Sequence, residues 1–100
     1  MDFSVHWPAR ARRDLKRIVD YWKRVDADAI PHAVGPIVEK IESLAESPYS
    51  GDIWQRSGGF ELRVIVAGSY RVFFDLDPHE RVINIRKIQH VREEDPDFSE

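Results

Sequence analysis

Residues 60–76 read FELRVIVAGSYRVFFDL, with apolar and polar side chains alternating on either side of a glycine. Alternation with a period of two predicts a pair of β-strands. A three-residue loop at Ala67-Gly68-Ser69 would pair Val66 with Tyr70, Val64 with Val72 and Leu62 with Phe74. That register gathers Phe60, Leu62, Val64, Val66, Tyr70, Val72, Phe74 and Leu76 on one apolar face. Glu61, Arg63, Ile65, Arg71, Phe73 and Asp75 then share the opposite face, because a slip of one residue would mix the two sets. In this arrangement Arg63 lies diagonal to Arg71, about 7–8 Å away. Two guanidinium groups converging on one face suit a phosphate or carboxylate, although solvated arginines are also common on an open sheet face.

The remaining pattern supplies the other elements. Phe3, Val5 and Trp7 alternate with Ser4 and His6, a short strand that Pro8 ends. Leu15, Ile18, Val19, Trp22 and Val25 fall on one stripe of a first helix that starts near Ala9. Val34, Ile37, Val38, Ile41, Leu44 and Ala45 do the same for a second. Asp28 is its expected N-cap, with Pro31 in the first turn. Gly35-Pro36 leaves open whether that helix starts at Ala29 or near Pro36. Loop chemistry follows from Glu46 to Gly51, and Ile53-Trp54 is a short strand or a segment lying on the core. After the hairpin, Asp77-Pro78-His79-Glu80 makes a turn. Val82, Ile83, Ile85 and Ile88 form a last strand, irregular near Arg86-Lys87. The expected fold is α+β: two N-terminal helices packed on one face of a small twisted antiparallel sheet, β-α-α-β-β-β in outline, with three or four strands after the helices.

At 100 residues the chain has room for one core, expected over 1–92, with 93–100 as an acidic, frayed tail. The absence of cysteine excludes a disulfide framework and a thiolate metal site, and places the chain inside the cell by default. No apolar run is long enough to span a membrane, so no membrane partner is expected. The net charge of −3 argues against a surface given over to nucleic acid. Charge is uneven, however: Arg10, Arg12, Arg13, Lys16, Arg17, Lys23 and Arg24 crowd the first helix, a set that suits a solvated helix face. The four histidines are scattered without ligand spacing, and no glycine-rich loop precedes a helix, so neither a metal nor another cofactor is expected.

The order of these elements, with Ala11-x-x-Asp14-Leu15-x-x-Ile18-x-x-Tyr21, Ser47-Pro48-Tyr49-Ser50-Gly51, Glu61-Leu62-Arg63, Tyr70-Arg71-Val72-Phe73-Phe74 and Ile83-x-Ile85-x-x-Ile88-x-His90, resembles the RelE/ParE superfamily of type II toxin–antitoxin toxins. The resemblance spans roughly residues 3–92 and is ParE-like rather than classical RelE. It implies a growth-inhibiting toxin neutralised by a cognate antitoxin and forming an oligomer with it.

Two activities share that superfamily, so the site must decide between them. In a RelE-like, ribosome-dependent mRNA endoribonuclease, the resemblance gives Arg71 and Arg63 to the phosphate and His90 to acid or base work. Glu61 or Asp52 would be a further base, because 2′-hydroxyl attack needs a base, an acid and cations around the phosphorane. The paired lysines and the late tyrosine of that branch are missing, and Phe98 is the only aromatic residue after His90. Their absence makes DNA gyrase, inhibited without nuclease chemistry, the leading implied target and the nuclease the alternative. A third reading is an inactive homologue that only binds a partner.

Overall fold

The computed structural model describes residues 2–98, with Ser57 described by its backbone only. Strand β1 (Ser4–His6) leads through Pro8 into helix α1 (Ala9–Val25), and a 3₁₀ turn at Ala27–Ala29 separates α1 from helix α2 (Ile30–Ser43). Strands β2 (Asp52–Ser57), β3 (Phe60–Ala67), β4 (Tyr70–Asp77) and β5 (Val82–His90) follow. All five strands form one sheet in the order β1-β5-β4-β3-β2. The α+β class and the two helices ahead of the sheet are as expected. Four strands follow the helices, within the expected three or four, but the sheet is mixed rather than antiparallel, since β1 runs parallel to β5 with Val5 opposite Ile83.

Helix α2 runs through Pro36 without interruption, which settles its start at Ile30. Pro31 falls in the first turn, where a backbone N–H has no helical acceptor to lose. Asp26, not Asp28, does the capping, and it caps the 3₁₀ turn: its Oδ1 accepts the Asp28 N–H at 3.1 Å, while α2 itself has Ala29 at its N-cap position and no side-chain cap.

Both helices cover the same face of the sheet. Ala11 and Ile18 from α1, with Ile37, Ile41 and Leu44 from α2 and its C-terminal end, pack on Val72, Phe74, Leu76, Ile83, Ile85 and Ile88. Each fully buried aliphatic or aromatic side chain contributes about 1.5–3 kcal/mol relative to exposure. That apolar contact, rather than polar bonding, holds helices to sheet. The main polar exception is Asp14, whose Oδ2 accepts the Ile88 N–H at 2.9 Å. It does so beside the foreseen irregularity of β5, where Phe73 pairs with Lys87 but Phe74 with Ile85, leaving Arg86 as the extra residue of a bulge.

The central hairpin departs from the expected register by one residue. Ala67 pairs with Tyr70, Ile65 with Val72 and Arg63 with Phe74, across a loop of only Gly68 and Ser69. Gly68 has φ of +63° and Ser69 does not share the positive φ, the arrangement of a type II′ turn, which suits the twist of a hairpin. Strand β4 still sends Tyr70, Val72, Phe74 and Leu76 into the core. Strand β3 is turned over: Glu61, Arg63, Ile65 and Ala67 face the helices, and Leu62, Val64 and Val66 face outward. Arg63 and Arg71 therefore do not share a face. This register is tolerated because the outer face is itself covered. Phe73 is fully buried there between the Trp54 ring, 5.1 Å away, and the Phe98 ring, 5.3 Å away.

Candidate functional site

Arg63 is tied into the fold on the helix side. Its Nη1 donates to the carbonyls of Tyr49 (3.2 Å) and Gly51 (2.5 Å), and its Nε to Glu61 Oε1 (2.8 Å). The guanidinium also stacks over the Tyr49 ring at 5.2 Å. One buried arginine thus closes the loop between α2 and β2 onto β3, using the fork of donors that only a guanidinium offers. Glu61 receives a second cation, Arg56, at 3.5 Å. The hydrogen bond from Arg63 holds the Glu61 carboxyl below the ordinary glutamate range. A base for 2′-hydroxyl chemistry needs the opposite perturbation, an affinity for protons raised toward neutrality.

Arg71 emerges on the outer face from the middle of the sheet. Its guanidinium lies 5.9 Å from the Trp54 ring centre and 5.3 Å from that of Phe73. Nη1 donates to Asp95 Oδ1 at 2.9 Å and Nη2 to the Glu93 carbonyl at 3.1 Å, while Nε is buried without a hydrogen-bond partner. The acidic segment assigned to a frayed tail is laid against this face as far as Phe98; Ser99 and Glu100 lie outside the described residues. Beside it Arg86 spans to Asp75 at 2.9 Å and stacks over Phe98 at 5.0 Å.

His90 stands at the end of β5 on the helix side, opposite Tyr70, with the two rings 5.5 Å apart. Its Nδ1 accepts the Arg92 N–H at 3.1 Å, the backbone-bonded role of a strand-end histidine. Tyr70 Oη accepts from Trp22 Nε1 at 3.0 Å. These rings floor a cleft of about 550 Å³ between α1 and the ends of β4 and β5, edged by Arg17, Tyr21 and Arg24. Asp52 starts the edge strand β2, paired with Val64. The candidate residues thus divide into four places: Arg63 with Glu61 on the helix side, Arg71 beneath residues 93–98 on the outer face, His90 in the cleft, and Asp52 on the edge strand.

A family model described as the ParE toxin of the type II toxin–antitoxin system parDE matches residues 5–95. The chain belongs to the ParE toxin family. Among solved structures, a chain of the chromosomal ParDE toxin–antitoxin system from P. aeruginosa is 21% identical, with a TM-score of 0.72 over 90% of this chain and 97% of that one. A chain of the toxin–antitoxin complex RelBE2 from Mycobacterium tuberculosis is 22% identical, with a TM-score of 0.65 over 90% of this chain and 99% of that one. At such identities these neighbours speak for the fold. No curated protein matches the chain.

For a ParE-family toxin, sequence reasoning overlooked the residues that organise its outer face. Trp54 is the extra residue of a bulge in β2, between Ile53 opposite Arg63 and Gln55 opposite Leu62, and its ring reaches Phe73. No periodicity announces a bulge of this kind. The role of Asp95 was legible in principle, as one carboxylate in an acidic run following a basic strand.

Proposed function

We propose that this chain is a growth-inhibiting toxin directed at DNA gyrase and neutralised by a cognate antitoxin encoded with it. Membership of the ParE family supports the toxin class, and the toxin–antitoxin composition of both solved neighbours supports an antitoxin partner. The observation that favours gyrase over RNA cleavage is the separation of the cationic and acid–base groups. Arg63 and Glu61 satisfy one another on the helix side, Arg71 leaves the sheet on the outer face, and the accepting nitrogen of His90 is taken by a backbone N–H. General acid–base cleavage of RNA needs such groups within hydrogen-bond reach of one phosphate. A protein-binding inhibitor has no such requirement.

Induction of the gene should arrest growth, and co-expression of the neighbouring antitoxin gene should relieve the arrest. Purified toxin in excess should stall supercoiling by gyrase. Undisturbed supercoiling together with new codon-phased 5′ ends on messenger RNA would transfer the reading to the ribosome-dependent nuclease. A chain that binds its antitoxin and leaves growth unaffected would be the inactive homologue.

A further inference from the structure

Residues 93–98 cross the outer face of β4 and β5 without regular secondary structure. The turn that sends them back is closed by local bonds: Glu93 N–H to the His90 carbonyl at 3.1 Å, and His90 N–H to Glu93 Oε1 at 3.1 Å. Beyond it, Gln89 Nε2 donates to the Glu94 carbonyl at 2.9 Å, Arg71 binds the Glu93 carbonyl and the Asp95 carboxylate, and Phe98 lies on Phe73. These ties belong to the kind that exchange readily. The Asp95 side chain is 71% exposed, so its pairing with Arg71 is close to neutral in water, and irregular segments with few buried contacts are the first to open locally.

The surface beneath is of a different character. Phe73 is fully buried and Gln89 only 2% exposed, so lifting the segment uncovers an aromatic ring and an amide donor together. Around them stand two cations, Arg71 between the Trp54 and Phe73 rings and Arg86 beside Phe98. A guanidinium held against rings, an amide that binds a main-chain carbonyl and an aromatic seat recognise an extended peptide whose carboxylates precede an aromatic residue. Glu93-Glu94-Asp95-Pro96-Asp97-Phe98 has that composition.

We propose that the outer face of the sheet is a binding site for an extended acidic–aromatic segment of a protein partner, and that residues 93–98 fill it in cis and compete with that partner. The proposal takes from the proposed function only that the chain acts through a protein partner. Occupancy in cis lowers the partner's apparent affinity in proportion to the fraction of molecules whose site is open.

The test uses the full chain and a fluorescein-labelled peptide EEDPDF, followed by fluorescence anisotropy. The double variant D95N/F98A, shown to be folded by circular dichroism, should bind the peptide at least about tenfold tighter than the parent chain. Asp95→Asn alone, which keeps every ring contact, should give a smaller gain. Adding Arg71→Gln to the double variant should remove the gain, and a scrambled peptide of the same composition should not show it. Equal affinity for the parent and both strap variants overturns the proposal, as does equal binding of the scrambled peptide or no binding to any of them. Gyrase supercoiling involves no peptide, so a harmless chain leaves the anisotropy result standing, and a negative anisotropy result leaves the supercoiling assay standing.

Discussion

Arg63 on β3 and Arg71 on the adjoining β4 leave the sheet on opposite faces, the first bound to loop carbonyls among the helices and the second held under residues 93–98. Their substitutions should therefore behave differently. Arg63→Ala leaves Glu61 and the Tyr49 and Gly51 carbonyls without their donor, and should cost about 2–4 kcal/mol in urea unfolding. Arg63→Lys should recover little of this, because an ammonium cannot span the three acceptors in the plane of the fork. Arg71→Ala, whose carboxylate partner is largely in water, should cost about 1 kcal/mol or less. With no shared partners the two losses should add within about 0.5 kcal/mol in the double variant. Marked non-additivity would mean that the two arginines communicate.

The Glu61 carboxyl sets a pH dependence with a definite sign. Arg63, and more weakly Arg56, hold its folded-state affinity for protons below that of the unfolded chain. A group depressed in this way contributes its full stabilisation above the unfolded value, about 4.3 for glutamate, and loses it as pH falls through the lower folded value. Urea midpoints measured from pH 7 downward should begin to fall near that unfolded value. Glu61→Gln should be less stable at pH 7 and show a shallower acid slope. An unchanged slope in that variant would assign the acid sensitivity to other carboxylates.

Gly51 marks the place where the loop after α2 meets the sheet. A Cβ there would lie 2.6 Å from the Val64 carbonyl oxygen and 3.1 Å from its carbon, both backbone atoms that cannot move aside cheaply. Gly51→Ala should therefore destabilise the fold by about 1–3 kcal/mol, as overpacked positions do. Because the Gly51 carbonyl also accepts from Arg63, the same variant should weaken that contact. The expected signature is strong coupling between Gly51→Ala and Arg63→Ala in a double-mutant cycle, in contrast to the additivity expected for Arg63 with Arg71.

The hairpin explains both what was legible in this sequence and what was not. Alternation identified the two strands and put Tyr70, Val72, Phe74 and Leu76 in the core, because β4 is flanked by strands on both sides and its inner face is uniformly apolar. Strand β3 carries apolar residues at both parities, with Leu62 and Val64 on one and Ile65 and Ala67 on the other. Choosing the more apolar parity for the core presumed a bare outer face. Trp54 and Phe98 cover that face from a bulge and from an irregular segment, neither of which has a periodicity to read. The local signal that decides the register was present all the same. Gly68-Ser69 is a two-residue II′ turn sequence, and turn chemistry fixes hairpin register more tightly than face polarity does when both faces are covered. The site inherits the same error, since the shared face of Arg63 and Arg71 followed from the register alone.

In the sequence Asp14 is one position of the helical motif that resembles the toxin superfamily; the structure gives it a specific task. The bulge at Arg86 interrupts the ladder between β4 and β5, and the next buried amide, that of Ile88, donates to Asp14 Oδ2. A buried N–H left without an acceptor costs about 1–3 kcal/mol, and water cannot enter cheaply where Ile88 is fully buried. Asp14→Ala should lose about that much stability, and the Ile88 amide should exchange with deuterium faster than neighbouring β5 amides measured in the same sample. Asp14→Asn keeps a carbonyl oxygen within reach and should retain most of the protection, while losing the exposed contact to Arg17 at 3.6 Å, which contributes little. If Asp14→Ala slowed or spared exchange at Ile88 while lowering stability equally, the aspartate would be acting on the packing of α1 rather than on the bulge. The alanine and asparagine variants together thus separate the acceptor from the charge, because only the acceptor is needed to carry the helix and the bulged strand as one unit.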